Sequence, residues 1–424
     1  MATKRIVIST YGSLGDLYPY LAIGQVLANK GHQVTIAGGV SLQKKVEELG
    51  LAFAPLRPNL DLSDSLTMKS AMDLRTGSET LARKLIFPYI RENYNDLTQA
   101  VQQADLLINH SYCFAGPIVS EKTGIPWISC NLSPNNFWSP HDSPVIPMYP
   151  WMVHLPGLGL TPNRLLMQAV RMVTHQWCAP IYQFRKELGL PNRKHPLMEG
   201  QHSPYQVLAL FSNVMARKQS DWPAHASVTG FPFFQENKEL PMEVEQFIQR
   251  GEPPVVVALG SSVVLNAEAV YQCCQEVITE MGKRAIFVGA AHTLSGEAKA
   301  KYAHNDNILL GPYLPYASLF KKSALIIHHG GIGTTMEALR AGKPMLVIPH
   351  SFDQPDNALR VERLGVGRYI YSAHFTKERL GKALQLLLND AAYAAAAQEA
   401  AQVVRQENGA ETASEHIDRF VQQM

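Results

Sequence analysis

The sequence predicts an α/β protein made of two doubly wound parallel-sheet domains. Three observations lead there. The chain opens strand, glycine loop, helix, strand over Ile6–Ala37, a βαβ unit whose crossover is right-handed. Past mid-chain, Val255–Leu259 runs into Gly260-Ser261-Ser262 and starts the same pattern again. A length of 424 residues with 46% hydrophobic content suits two domains with ample core.

Taken in order, Ile6–Thr10 is apolar enough for a parallel strand, and Tyr11–Asp16 is a glycine loop. Tyr18–Lys30 has helical spacing, with Pro19 in its first turn and Gly31 as its stop. Val34–Ala37 is a strand, Gln43–Leu49 a helix, Phe53–Leu56 a strand, Leu81–Gln102 a longer helical region, and Leu106–Ile108 and Trp127–Cys130 are strands. Residues 134–162 hold seven prolines among Phe137, Trp138, Tyr149 and Trp151, a density that excludes regular structure. Leu165–Leu188 returns to helix and Val207–Phe211 to strand. Prolines at 232, 241, 253 and 254 mark a linker. The predicted domains are 1–232 and 255–408, joined by 233–254, with a terminal helix after 408. Strands of the second domain are Val255–Leu259, Ile286–Val288, Ile308–Leu309, Leu325–Ile327 and Met345–Ile348. Residues 392–405 are Ala- and Gln-rich, and 411–424 form a last helix.

Composition narrows the function. A formal charge of +2 gives no nucleic-acid footprint. Five cysteines without C-x-x-C argue against a disulfide framework or zinc site and fit a reducing cytoplasm. Ile6–Ile8 is far too short for a signal peptide, and no apolar run approaches a membrane span of about 20 residues. Weak peripheral membrane contact stays open, and nothing fixes the oligomeric state.

The most informative stretch is Leu325–Arg368. A strand enters His328-His329-Gly330-Gly331-Ile332-Gly333, where side chains almost vanish, and a helix follows. Thr334-Thr335-Met336-Glu337 fits a capping box, and Gly342 then Pro344 close the helix. Such a turn aims free backbone N–H groups and the helix dipole at one point, a generic phosphate site. A second strand, Met345–Ile348, delivers the polar loop Pro349–Asn357 beside it. The pattern implies a nucleoside diphosphate bearing a hydroxyl-rich group.

His329-x-Gly331-x-Gly333-Thr334, then Glu337, then Asp353-Gln354 resembles the donor box of nucleotide-sugar-dependent glycosyltransferases, the family of plant secondary-product, sterol and antibiotic transferases. The resemblance covers essentially the whole chain. His202-Ser203-Pro204, Asp221-Trp222-Pro223 and Thr229-Gly230-Phe231-Pro232 are similar to the bacterial branch of the rhamnolipid rhamnosyltransferase. It implies the GT-B fold and an inverting transfer of glucose from UDP-glucose or rhamnose from dTDP-rhamnose. The acceptor would be a small hydrophobic alcohol, a flavonoid, phenol or lipid. The terminal helix would cross back onto the first domain.

By that resemblance Asp16 is the general base for the acceptor hydroxyl; its other reading is a helix N-cap. His329, ranked ahead of His328, faces the diphosphate, and one of the two is an ordinary strand-end residue. Gly15, Gly331, Gly333, Thr334, Ser261 and Ser262 join the donor site, with Asn357 a further phosphate contact. Glu337 either completes the capping box or holds the ribose. Asp353 and Gln354 read sugar hydroxyls. Tyr313 stands where plant members carry the base-stacking Trp, which leaves uracil against thymine undecided. Phe137, Trp138 and Tyr149 are acceptor-contact candidates, together with residues 60–90, unless the aromatics simply pack down. His202 and Trp222 read as structural. With no Asp-x-Asp pair and no cluster of metal-ligand spacing, the expected site has no metal and no cofactor beyond the nucleotide sugar. Two alternatives compete: a non-catalytic nucleotide-sugar binding protein, and a nicotinamide-dependent oxidoreductase. The second lacks G-x-G-x-x-G and an acidic residue after Val34–Ala37.

Overall fold

Short Val-, Ile- and Leu-rich runs buried on both faces pair side by side, so both sheets of this protein are wholly parallel. The structure is a computed structural model and describes residues 3–59, 69–149, 159–235, 239–260, 267–300, 302 and 305–424. Its contacts separate two compact units. One holds the N-terminal strands, Arg75–Phe234 and Glu407–Met424; the other holds Gln235–Gln406.

The first unit carries strands β1 (Arg5–Ser9), β2 (Gln33–Gly38), β3 (Ala52–Pro55), β4 (Leu106–His110), β5 (Trp127–Asn131), β6 (Gln206–Ala209) and β7 (Ala226–Val228), in the order β3-β2-β1-β4-β5-β6-β7. Ile6 pairs with Val34 on one side and Leu106 on the other. The order reverses between β1 and β4, and ligands of such sheets gather at the C-terminal strand ends beside that reversal. Its longer helices are α1 (Leu14–Asn29), α2 (Ile90–Ala100), α3 (Ala115–Thr123), α4 (Leu160–Trp177) and α5 (Ala179–Glu187).

The second unit carries β8 (Val255–Ala258), β9 (Ala285–Phe287), β10 (Ile308–Leu310), β11 (Leu325–His328), β12 (Met345–Val347) and β13 (Gly367–Tyr369), in the order β10-β9-β8-β11-β12-β13. Here the reversal lies between β8 and β11. Its longer helices are α6 (Ala267–Glu280), α7 (Ile332–Ala341), α8 (Gln354–Arg363), α9 (Lys377–Asn389) and α10 (Ala391–Gln406). Val257, Phe287, Ile327 and Leu346 form the centre of its core. Each fully buried side chain of this size contributes about 1.5–3 kcal/mol.

The last helix, α11 (Gly409–Gln422), packs on α1 in the first unit. Asp418 accepts from Lys30 Nζ at 3.0 Å and from His32 Nε2 at 3.1 Å. The other ring nitrogen of His32 accepts the Lys4 N–H, which fixes the tautomer that donates to Asp418. Gly409 must be glycine, because a Cβ there falls 2.4 Å from the Phe231 carbonyl carbon.

Two predicted helices are interrupted. The region 81–102 is a π segment at Leu81–Ile86, a 3-10 turn at Phe87–Tyr89, and only then α2. Pro88 has no N–H to continue the ladder. Leu165–Leu188 is two helices, α4 and α5, broken at Cys178 just before Pro180. Strands β7 and β13 were not expected; Ala226–Val228 and Gly367–Tyr369 are interrupted by Ser227 and Arg368 and lack the unbroken apolar run of the other short strands.

Candidate functional site

In the second unit, β11 ends at His328 and the chain turns sharply. Gly330 has φ +92°, and a Cβ there lies 2.7 Å from Val347 Cγ1, so only glycine fits. Gly331 caps α7, and the helix begins at Ile332. The imidazole of His329 is seated between two more glycines. A Cβ on Gly260 falls 2.6 Å from its Cε1, and one on Gly331 falls 2.6 Å from its Nε2. Burial, with the nearby His350 imidazole adding to it, pushes His329 down to about 4, while a hydrogen bond to the Ala258 backbone opposes this. A neutral imidazole thus sits at the positive end of a helix.

His328 is committed within the protein. Its Nδ1 accepts the Gly330 N–H at 3.1 Å and its Nε2 lies 3.4 Å from Met345 Sδ. Burial holds it at about 3. It shapes the turn.

The expected capping box does not form. Thr334 is the third residue of α7 rather than its cap, since the Gly331 backbone already starts the helix. Thr335 instead donates its hydroxyl to the Gly331 carbonyl at 3.0 Å. Glu337 is gripped by Arg340 Nη2 at 2.6 and 2.9 Å. Burial raises its carboxyl and Arg340 opposes that. Gly333 and Thr334 lie in the first turn, where N–H groups have no partner within the helix. Ser261 and Ser262 lie outside the described residues.

The loop after β12 is folded by its own side chains. Gln354 Oε1 accepts the N–H groups of His350 at 2.9 Å and Ser351 at 3.3 Å. Asp353 precedes α8 and accepts from Asn357 Nδ2 at 2.8 Å, and the same amide donates to the Gly330 carbonyl at 2.9 Å. Asn357 therefore ties the loop to the glycine turn. Phe352 holds φ +59°, a strained conformation of the kind found at binding loops. Around this turn four buried atoms have no hydrogen-bond partner: His329 Nδ1, His350 Nε2, Ser351 Oγ and Asn357 Oδ1. Buried polar atoms are normally paired, so four of them at one turn are unusual. His350 and Ser351 were missed from sequence, where nothing separates them from an ordinary polar loop. Tyr313, 57% exposed, lies with its ring against Gly289, where a Cβ would be 3.8 Å from Cζ.

In the first unit, Ser13 is the N-cap of α1 and Asp16 is the fourth member of a true capping box. This corrects the reading of Asp16 as the cap itself. Asp16 Oδ2 accepts the Ser13 N–H at 2.8 Å and its hydroxyl at 3.0 Å. The Gly15 N–H goes to Ser13 Oγ at 3.2 Å. One turn further along α1, the Tyr20 hydroxyl is buried without a partner; so are both ring nitrogens of His110 and both amide atoms of Asn131. Tyr20 and His110 have ring centroids 5.4 Å apart. These residues, also missed from sequence, sit at the ends of β4 and β5 or beside them, on the strand edge that Asp16 follows. Phe137 packs down, stacked 3.7 Å on Trp222 with His202 on the same ring system at 5.4 Å. That is the packing alternative for this aromatic, and it gives His202 and Trp222 structural work. Trp138 is half-buried at φ +50°, and Tyr149 is exposed. Residues 60–68 and 150–158 lie outside the described residues. Among the described residues no three His, Cys, Asp or Glu side chains could together hold a metal ion.

Known proteins resemble both units. Residues 6–136 match the Glycosyltransferase family 28 N-terminal domain, and residues 291–422 match the Erythromycin biosynthesis protein CIII-like C-terminal domain. The chain is 28% identical to the O-mycaminosyltylonolide 6-deoxyallosyltransferase of Streptomyces fradiae, over 99% of this chain and 98% of that protein. It is 27% identical to the sterol 3-beta-glucosyltransferase of Debaryomyces hansenii over 97% of this chain, but spans only 26% of that longer protein. Among solved structures, the spinosyn rhamnosyltransferase SpnG complexed with thymidine diphosphate matches with a TM-score of 0.66 at 18% identity, covering 98% of this chain and 100% of that one. That likeness establishes the GT-B fold.

Proposed function

Because the chain belongs to the nucleotide-sugar-dependent glycosyltransferases, which move a sugar from a nucleotide donor to an acceptor, we propose a specific reaction for it. It transfers a hexose, rhamnose from dTDP-rhamnose or glucose from UDP-glucose, to a hydroxyl of a small hydrophobic acceptor such as a phenol, flavonoid or lipid. Configuration inverts in a single displacement. The observation that carries this reading is the seat of His329, held neutral between Gly260 and Gly331 at the start of α7.

The donor reads onto the second unit. The diphosphate meets the first-turn N–H groups of α7 and the His329 imidazole, so leaving-group charge is met by dipoles, worth up to about 2 kcal/mol. No step needs a metal in this scheme. Gln354 has its carbonyl tied to the loop, which leaves its amide N–H to donate, while the Asp353 carboxylate accepts. Such a pair recognises vicinal hydroxyls. Glu337 holds the ribose, and Tyr313 offers a ring face to the base. SpnG, solved with thymidine diphosphate, supports a thymine nucleotide.

The acceptor reads onto the first unit, where Trp138 and Tyr149 remain the contact candidates. Asp16 takes the proton from its hydroxyl. A carboxylate with a reference pKa of about 3.9 is a weak base. It therefore acts on an acidic phenol, or late, as charge develops on the attacking oxygen. The test is Asp16→Asn with product anomer analysis by NMR. We expect kcat to fall by about 10²–10⁴ with donor affinity kept, and the wild type to give the inverted anomer. Full turnover by the variant, or a retained anomer, overturns the scheme.

A further inference from the structure

The outward side of α4 is largely apolar. With about 100° between successive residues, Asn163, Met167 and Thr174 share the inward side, and all three are buried. Leu165, Ala169, Met172 and Gln176 fall on the opposite side, with Val173 at its edge. Of these, Leu165, Met172 and Val173 are 61%, 69% and 53% exposed. A surface helix normally turns polar groups outward, and a contiguous apolar stripe there marks an interaction surface.

Charge identifies the partner. α4 contains no Asp or Glu, and Arg164, Arg171 and His175 line one flank of its apolar stripe. From Ser143 to Lys186 the sequence has no acidic residue at all, but it has Arg164, Arg171, Arg185 and Lys186. Glu199 binds Arg171 at 2.6 and 2.9 Å from outside the helix, and Glu121 binds Arg185 at 2.7 Å. A shallow apolar stripe bordered by long cationic side chains is the pattern of a helix lying in a lipid interface. Anionic headgroups meet no acidic side chain of α4 itself; the one acidic neighbour described on that flank, Glu199, is paired with Arg171.

We propose that the outward face of α4 docks this protein on an anionic lipid surface. The inference stands apart from the transfer reaction, since docking is measured without substrates. The test is co-sedimentation of the full chain with vesicles of phosphatidylcholine, alone or mixed with phosphatidylglycerol. Binding to the mixed vesicles should be at least about tenfold stronger and should weaken with salt. The triple variant Leu165→Ser/Met172→Ser/Val173→Ser should lose about tenfold or more of it, with an unchanged unfolding midpoint; Arg164→Glu alone should lose part. No binding by the wild type, or equal binding by the folded triple variant, overturns the proposal. So does a wild-type dimer in light scattering that the variant loses, because the face then belongs to a second copy. A raised acceptor KM in the variant without vesicle binding gives the face to the acceptor instead.

Discussion

The carboxylate of Asp16 is held by Ser13, whose backbone N–H and hydroxyl both reach the same oxygen, Oδ2, at 2.8 and 3.0 Å. The contacts that cap α1 therefore also aim the proposed base. Ser13→Ala should cost about 1 kcal/mol of stability through the lost cap. It should also lower kcat by about tenfold to a hundredfold, because a misplaced reacting group is expensive. Unfolding midpoints and initial rates measured together check this; a destabilised variant with wild-type kcat would separate capping from catalysis.

Gly12 makes room for that carboxylate. Its φ is +124°, and a Cβ there falls 2.3 Å from Asp16 Oδ2. Gly12→Ala should depress kcat as Asp16 is displaced while leaving nucleotide affinity unchanged. Calorimetric titration with dTDP alongside turnover distinguishes this from general misfolding.

The seat of His329 predicts the opposite split. Gly331→Ala or Gly260→Ala puts a methyl group 2.6 Å from the imidazole. Nucleoside-diphosphate affinity should fall about tenfold or more, the worth of one charge-assisted hydrogen bond. Dissociation constants for UDP and dTDP measure it.

Glu337 is bound to Arg340, and its ribose role can be isolated. Glu337→Gln should weaken dTDP binding about five- to twentyfold, a loss of roughly 1–2 kcal/mol, but leave inorganic diphosphate binding unchanged. Equal losses for both ligands would assign Glu337 to holding the helix alone.

Stability should fall on acidification. Burial holds His195, His202, His329 and His350 down at about 4, and His110 and His328 at about 3. Unfolded histidine titrates near 6.5. Between that value and about 4 the unfolded chain binds protons that the folded chain does not, so stability rises with pH there and is lost as pH falls. Each imidazole contributes at most about 1.4 kcal/mol per pH unit. Glu337 and Glu407, both raised by burial, oppose this. Thermal melts across that window should show a falling midpoint.

Where the sequence spoke clearly, it did so through local pattern. Leu325–Ile327 reads as β11 because it is buried on both faces, and Gly330 and Gly342 mark turns because both take positive φ. The capping box was misread because Thr334 matches in spelling while Gly331 already starts the helix. The interruption before α2 depends on how the chain packs around Pro88. The unpaired atoms of His350, Ser351, His110 and Asn131 were invisible, since lacking a partner is a property of the folded neighbourhood.

The most direct test is a thermal-shift titration of the purified chain with UDP, dTDP, UDP-glucose and dTDP-rhamnose, without added metal. A ligand that binds only the folded state stabilises it by about 2.7 kcal/mol at a hundred times its Kd. The account predicts a raised midpoint with the nucleotides, larger for the sugar nucleotide that is the donor, and a reduced shift in Gly331→Ala. No shift with any of them at millimolar concentration would contradict it.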